Sequence, residues 1–185
     1  MRNAAHSARG FTLIELLMTV AILAVLLALA APAYGKLIGR THAQTSRSAL
    51  DGALAQARAA AVGRGAHVVV CPSEDGEQCV RTTQWQHGWL VFADLDHDGK
   101  RSADEPLLGV AQAQPAGVAI LSTAGRLRVD YKPDGTANGT NLTLTICDRA
   151  DGAANALALV MNQAGRVRTG RASADAAAAC LRAAG

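Results

Sequence analysis

Aromatic side chains are scarce. Two each of Phe, Trp and Tyr make up 3% of 185 residues. A platform that stacks on nucleobases needs exposed rings, so any nucleic-acid contact by this chain is confined to phosphates. Charge is thin as well, at 18% with a formal net charge of +3. Signatures of catalysis are missing: there is no G-x-S-x-G elbow, no phosphate loop, no H-E-x-x-H helix and no Cys–His pairing pattern. No repeat of domain size occurs. There is no C-x-x-C, and His6, His42, His67, His87 and His97 do not cluster, which argues against zinc. At 50% hydrophobic, the chain is too apolar to be disordered. These absences leave a non-enzymatic chain of one domain plus an appendage.

The apolar content is uneven. From Phe11 to Tyr34, 20 of 24 residues are apolar; from Gly35 onward 68 of 151 are, and 31 of those are alanine. The run follows a short polar leader, residues 1–10, carrying Arg2 and Arg9. It is longer than the apolar core of a secretory signal, and no clear A-x-A site precedes a polar mature start. As a helix it would span about 36 Å, enough to cross a bilayer. The basic leader would remain cytoplasmic, placing the rest outside a bacterial inner membrane. Glu15 interrupts the run, and a carboxylate there costs a few kcal/mol unless it is paired or lies in the headgroup zone.

Beyond Pro32, Leu37, Ile38, Leu50, Leu54, Ala57, Ala61 and Val62 recur at spacings of three, four and seven. With the alanine content this predicts one helix from about Phe11 to Val62, stopped by Gly63 or Gly65 and weakest near Pro32, Gly35 and Gly39. The pattern then switches to strands. They are expected at His67–Cys71, Trp89–Ala93, Leu107–Ala111, Val118–Ser122, Leu127–Lys132, Leu142–Cys147 and Ala156–Asn162, with Arg166–Thr169 extending the end. Pro133-Asp134-Gly135 is a turn signal. The alanine-rich tail reads as a short helix or a loose end. The fold class is α+β: a mostly antiparallel sheet packed on a long helix.

Four cysteines in an exported domain suggest two disulfides, with three connectivities. Cys71–Cys79 is local, and Cys147–Cys180 would fasten a tail that has no other anchor, so this pairing is favoured. Asp94, Asp96, Asp98, Gly99, Ser102 and Glu105 match a calcium-loop spacing at positions 1, 3, 5, 6, 9 and 12. Against a calcium ion, a strand precedes the loop and Pro106 follows it at once; a solvated acidic hairpin loop has the same composition. No other cofactor is expected. Residues 71–105 carry eight acids and three bases, whereas residues 121–185 carry eight bases and five acids. Arg166 and Arg168 would share one face of a strand, with Arg171 and Arg182 beyond them. Arg126 and Arg128 repeat the Gly-Arg-x-Arg arrangement, and rows of guanidinium groups suit phosphates. Outward arginines after a hairpin glycine are also ordinary surface design.

Gly10-Phe11-Thr12-Leu13-Ile14-Glu15-Leu16 resembles the prepilin signature of type IV pilins and type II secretion pseudopilins. The resemblance implies cleavage after Gly10 by a prepilin peptidase and N-methylation of Phe11. It implies that Glu15 pairs with the terminal amine of a neighbouring subunit, and that Pro32 kinks or locally melts the helix. Val70-Cys71-Pro72-Ser73, Cys79, Trp85, the run Gly88 to Asp94, the Pro133-Asp134-Gly135 turn and Gly165-Arg166-Val167-Arg168 together resemble the GspH/FimT group of minor pilins and minor pseudopilins. A pilin-like fold follows, with a leader at 1–10, a membrane and filament-core helix at 11–34, its amphipathic continuation at 35–62, and a periplasmic β-rich domain at 66–185. The implied partners are other major and minor pilins or pseudopilins, the prepilin peptidase and the inner-membrane assembly platform. The implied roles are priming or tipping a pilus, or the alternative of an H-type pseudopilin of type II secretion. Glu15 implies a place below the apex, since tip subunits of the secretion type often lack that glutamate. The Gly-Arg-x-Arg stretch is similar to the one linked to DNA capture for natural transformation in FimT-type minor pilins.

Overall fold

The computed structural model describes residues 12–137 and 141–184, the side chain of Pro32 excepted. Gly10, Phe11 and the whole 1–10 leader lie outside the described residues. The first element is α1, Leu13–Arg64, a single helix of 52 residues, about 78 Å long at 1.5 Å per residue. Its start is set by Thr12, whose hydroxyl accepts from the Glu15 N–H. Its end is set by Gly65, which turns left-handed (φ 63°) and donates to the Ala61 carbonyl. The helix is continuous through position 32, so the local melting expected there is absent. The flanking hydrogen-bonded turns and the high alanine content offset the lost proline N–H.

The first half of α1 projects away from the described core. Every described side chain from Thr12 to Tyr34 is exposed, Leu13 at 77% and Leu29 at 70%. The second half buries Ala43, Leu50, Leu54, Ala57 and Ala61, which lie on one stripe. The expected stripe was wider: Leu37, Ile38 and Val62 are exposed instead, because they fall off the buried stripe.

Eight strands follow: β1 His67–Pro72, β2 Trp89–Asp94, β3 Leu107–Ala111, β4 Val118–Ser122, β5 Val129–Tyr131, β6 Leu142–Asp148, β7 Leu157–Met161 and β8 Val167–Arg171. They form two antiparallel four-stranded sheets, ordered β3-β2-β1-β5 and β4-β6-β7-β8, rather than one. The Arg166–Thr169 stretch is not an extension of the preceding strand. It turns back as β8 and pairs Met161 with Val167 through Leu157 with Arg171. Strand periodicity alone does not reveal that reversal; Gly165 (φ 70°) makes it.

One core joins the helix stripe to the inner faces of both sheets, including Val68, Val70, Trp85, Trp89, Val91, Ile120, Tyr131, Leu144, Ile146 and Leu159. The outer face of the first sheet holds a second cluster, Val69, Cys71, Leu90 and Phe92, against Cys79. Strand β2 is therefore buried on both faces, which is why it reads as an unbroken apolar run. On the outer face of the second sheet lies α2, Ala174–Ala183, capped by Ser173 and packed on Ala119 and Cys147. Both disulfides join the favoured pairs, Cys71–Cys79 and Cys147–Cys180.

Candidate functional site

Three features have chemistry that the core does not use: the apolar half-helix with its carboxylate, the exposed arginines, and the aspartate loop. Glu15 is three residues past the cap, and its N–H is held by Thr12. Thr12-Leu-Ile-Glu15 is thus a helix-start sequence of the S/T-x-x-E type, a role for Thr12 that the motif reading passed over. Glu15 makes no ion pair among the described residues, and no other charged side chain lies between it and Lys36. The helix around it is long and apolar enough to cross a membrane, with a mean hydropathy of 2.7 over its best window.

The two arginine pairs are separated onto different sheets. Arg166, Arg168 and Arg171 are exposed on or beside β8, the edge strand of the second sheet. They make no ion pair among the described residues. Their mounting is rigid. A Cβ at Gly165 would collide with the Gly135 carbonyl. Arg58 of α1 donates to the carbonyls of Gly135 (2.9 Å) and Ala164 (3.2 Å), tying both turns to the helix. Alternation puts Arg168 and Arg171 on opposite sides of the strand, while Arg166 lies just before β8 and lines a groove with Arg58 and Val167.

Arg126 and Arg128 lie before β5, on the outer side of the first sheet. Arg128 donates to the Gly99 carbonyl at 2.9 Å, so it braces a loop. With Arg81 and Lys100 they line a groove of about 500 Å³ that also contains Asp130. Its four cations come from residues 81 to 128, and no local pattern announces them. Arg58 was likewise illegible in sequence. All four Phe, Trp and Tyr side chains of the β-rich part, Trp85, Trp89, Phe92 and Tyr131, are fully buried, so none of them is available for base stacking.

The aspartate loop starts where β2 ends. Asp94, Asp96 and Asp98 each bring one carboxylate oxygen to within 4.8 Å of the others. Asp94 is buried, and burial first, then the neighbouring Glu105 charge, raises its pKa above the ordinary carboxylate value. Glu105 does not join the group. Its two oxygens accept from the N–H groups of Leu95 (2.7 Å) and Ser102 (2.9 Å), so it closes the loop instead. Beside the loop, His67 Nδ1 is 2.9 Å from Asp130, and the His67 and His97 rings lie 4.2 Å apart.

The profile of the family described as type II transport protein GspH matches residues 47–165. The chain belongs to the GspH family. A second profile, the prokaryotic N-terminal methylation motif, matches residues 6–31. Among solved structures, this GspH-family chain is similar to the type IV minor pilin FimU of Pseudomonas aeruginosa. Identity is 20%, coverage 74% of this chain and 92% of that one, and the TM-score 0.57. It is similar also to the minor pseudopilin EpsH from the type 2 secretion system of Vibrio cholerae, at 13% identity, 70% and 97% coverage, and a TM-score of 0.51. No curated protein matches at a significant level. The α+β pilin-like fold is that of these neighbours.

Proposed function

We propose that this GspH-family chain is a minor type IV pilin. In this reading a prepilin peptidase cleaves after Gly10 and the new terminus at Phe11 is methylated. The protein waits as a single-pass inner-membrane subunit with its β-rich domain in the periplasm. It then joins other pilins, through the assembly platform, to prime or tip the filament. The observation that carries this reading is the half-helix from Leu13 to Tyr34: apolar, exposed at every described side chain, and broken by one carboxylate with no ion pair among the described residues. Such a surface demands lipid or other copies of the same kind of helix. Glu15 would find its counter-charge in the terminal amine of a neighbour, since a desolvated carboxylate needs one.

The test is a chromosomal deletion complemented with wild type or Glu15→Val. Loss of piliation in the deletion, restored by wild type and not by Glu15→Val, is the expected result. Normal piliation with a defect in protein secretion would favour the second reading, an H-type pseudopilin. The likeness to EpsH and membership of a family described as type II transport protein support that second reading.

Within the pilin reading, Arg166, Arg168 and Arg171 are proposed to contact DNA phosphates during uptake, with Arg126 and Arg128 as a second basic site. Backbone-directed contacts of this kind are weakly sequence-specific and salt-dependent. For an Arg166→Gln/Arg168→Gln variant, a mobility shift across a salt series should show weaker binding. Its log–log salt slope should be smaller by about 2, near 0.9 per lost phosphate contact. Equal affinity of variant and wild type would remove these residues from the role.

A further inference from the structure

We propose that Asp94, Asp96 and Asp98 bind one calcium ion at the end of β2. Each carboxylate presents an oxygen to a common point, all within 4.8 Å of one another. Each also has an oxygen fixed by backbone: Asp94 Oδ2 accepts from Gly99 N–H (3.1 Å), Asp96 Oδ1 from Asp98 N–H (3.1 Å), and Asp98 Oδ1 from Lys100 N–H (2.6 Å). The chain thus holds the three groups convergent despite their mutual repulsion.

A second observation points to a ligand. Asp94 is 1% exposed, yet its Oδ1 has no hydrogen-bond partner among the described residues. Buried carboxylate oxygens are ordinarily satisfied. Glu105, 4% exposed in the same loop, has both of its oxygens satisfied by N–H groups. Of the cationic groups around the loop, Arg128 donates to the Gly99 carbonyl and His67 meets Asp130. Asp94 Oδ1 is therefore a desolvated acceptor on a residue whose carboxylate belongs to a group of three within 4.8 Å. A bound cation removes that penalty.

The donor set selects the ion. Three carboxylates with no nitrogen or sulfur suit a hard cation rather than zinc. Two of the three aspartates are exposed, so water completes the shell and the geometry stays adaptable, which suits calcium better than strictly octahedral magnesium. Affinity should fall in the submillimolar to millimolar range of extracellular modules. The loop meets Glu77 through Arg101 and the segment before β5 through Arg128, so binding would stiffen this side of the first sheet.

The experiment uses the full chain in detergent, titrated calorimetrically with calcium chloride and melted with calcium, magnesium or EDTA. Expected are one ion per chain and a Tm rise of about 3–5 °C at tenfold excess over Kd. An Asp96→Asn/Asp98→Asn variant keeps acceptors for the Asp98 and Lys100 N–H groups, so its EDTA Tm should stay near wild type while the calcium response disappears. No heat and no Tm rise in wild type at millimolar calcium would overturn the site. So would an undiminished calcium response in the variant. An equal rise with magnesium would overturn the choice of ion.

Discussion

At the residue scale, the clearest misfit is Tyr131. Its ring is fully buried, but its hydroxyl has no hydrogen-bond partner among the described residues. Burial pushes its pKa from 10.0 up to about 12. The folded state therefore favours the neutral phenol. That preference is fully present below pH 10 and is lost as pH rises towards 12. Tyr131→Phe removes an unsatisfied group at almost constant volume, so its Tm should equal or exceed wild type, and its alkaline melting limb should lie at higher pH. A drop of several degrees would mean the hydroxyl has a partner in solution. Asp134 has the opposite sign. Its carboxylate accepts from the Thr136 hydroxyl and N–H, and these bonds lower its pKa below 3.8. The 133–136 turn should hold above that pH and loosen as pH falls through the lowered value, seen in the Thr136 amide resonance. Gly39 is a third case. It is buried in α1, and a Cβ there would strike the Asp148 carboxylate. Gly39→Val should cost about 1–3 kcal/mol by overpacking, measured by chemical denaturation.

At the element scale, the two disulfides have different reach. Cys71–Cys79 spans 8 residues and Cys147–Cys180 spans 33. The loop-closure estimate gives about 2.5 and about 4 kcal/mol respectively. Cys147→Ser/Cys180→Ser should therefore lower stability more than Cys71→Ser/Cys79→Ser. It should also detach α2, exposing Ala119 and Ala156 and raising amide exchange in residues 174–183. Equal losses from the two variants would contradict this ordering. Strand positions were legible because alternation and Gly, Pro and Asp turns punctuate them: β3 and β4 fall where the pattern put them. The separation into two sheets was not legible. Strand patterns along the chain carry no mark of which sheet a strand joins, and only the pairing partners divide them.

At the scale of the whole molecule, the chain serves two solvents. The β-rich domain and the second half of α1 form one core, while the apolar first half of α1 buries nothing within the chain. Removing residues 1–35 should leave a domain that stays in solution without detergent and keeps the fluorescence of buried Trp85 and Trp89. Detergent dependence of that fragment would mean the half-helix contributes to the domain core. The fully buried aromatics give the early scarcity a physical account: with six rings in 185 residues, the core takes all four in the β-rich part. What remains for any polyanion is guanidinium groups.

The sequence by itself determined the local events. The apolar run, the Thr12 and Gly65 helix ends, the strand positions and the acidic loop follow from propensity, periodicity and turn chemistry, which act over a few residues. The GspH family was legible from residues in order along the chain. Tertiary structure decided what depends on residues far apart. It put Arg126 and Arg128 on one sheet and Arg166 and Arg168 on the other, and used Arg58 to clamp two turns 77 and 106 residues away. It withdrew Glu105 from the aspartate group by satisfying both its oxygens, and left Asp94 Oδ1 buried without a donor. Burial and the direction of a side chain are set by packing against distant elements, and no window along the chain contains them.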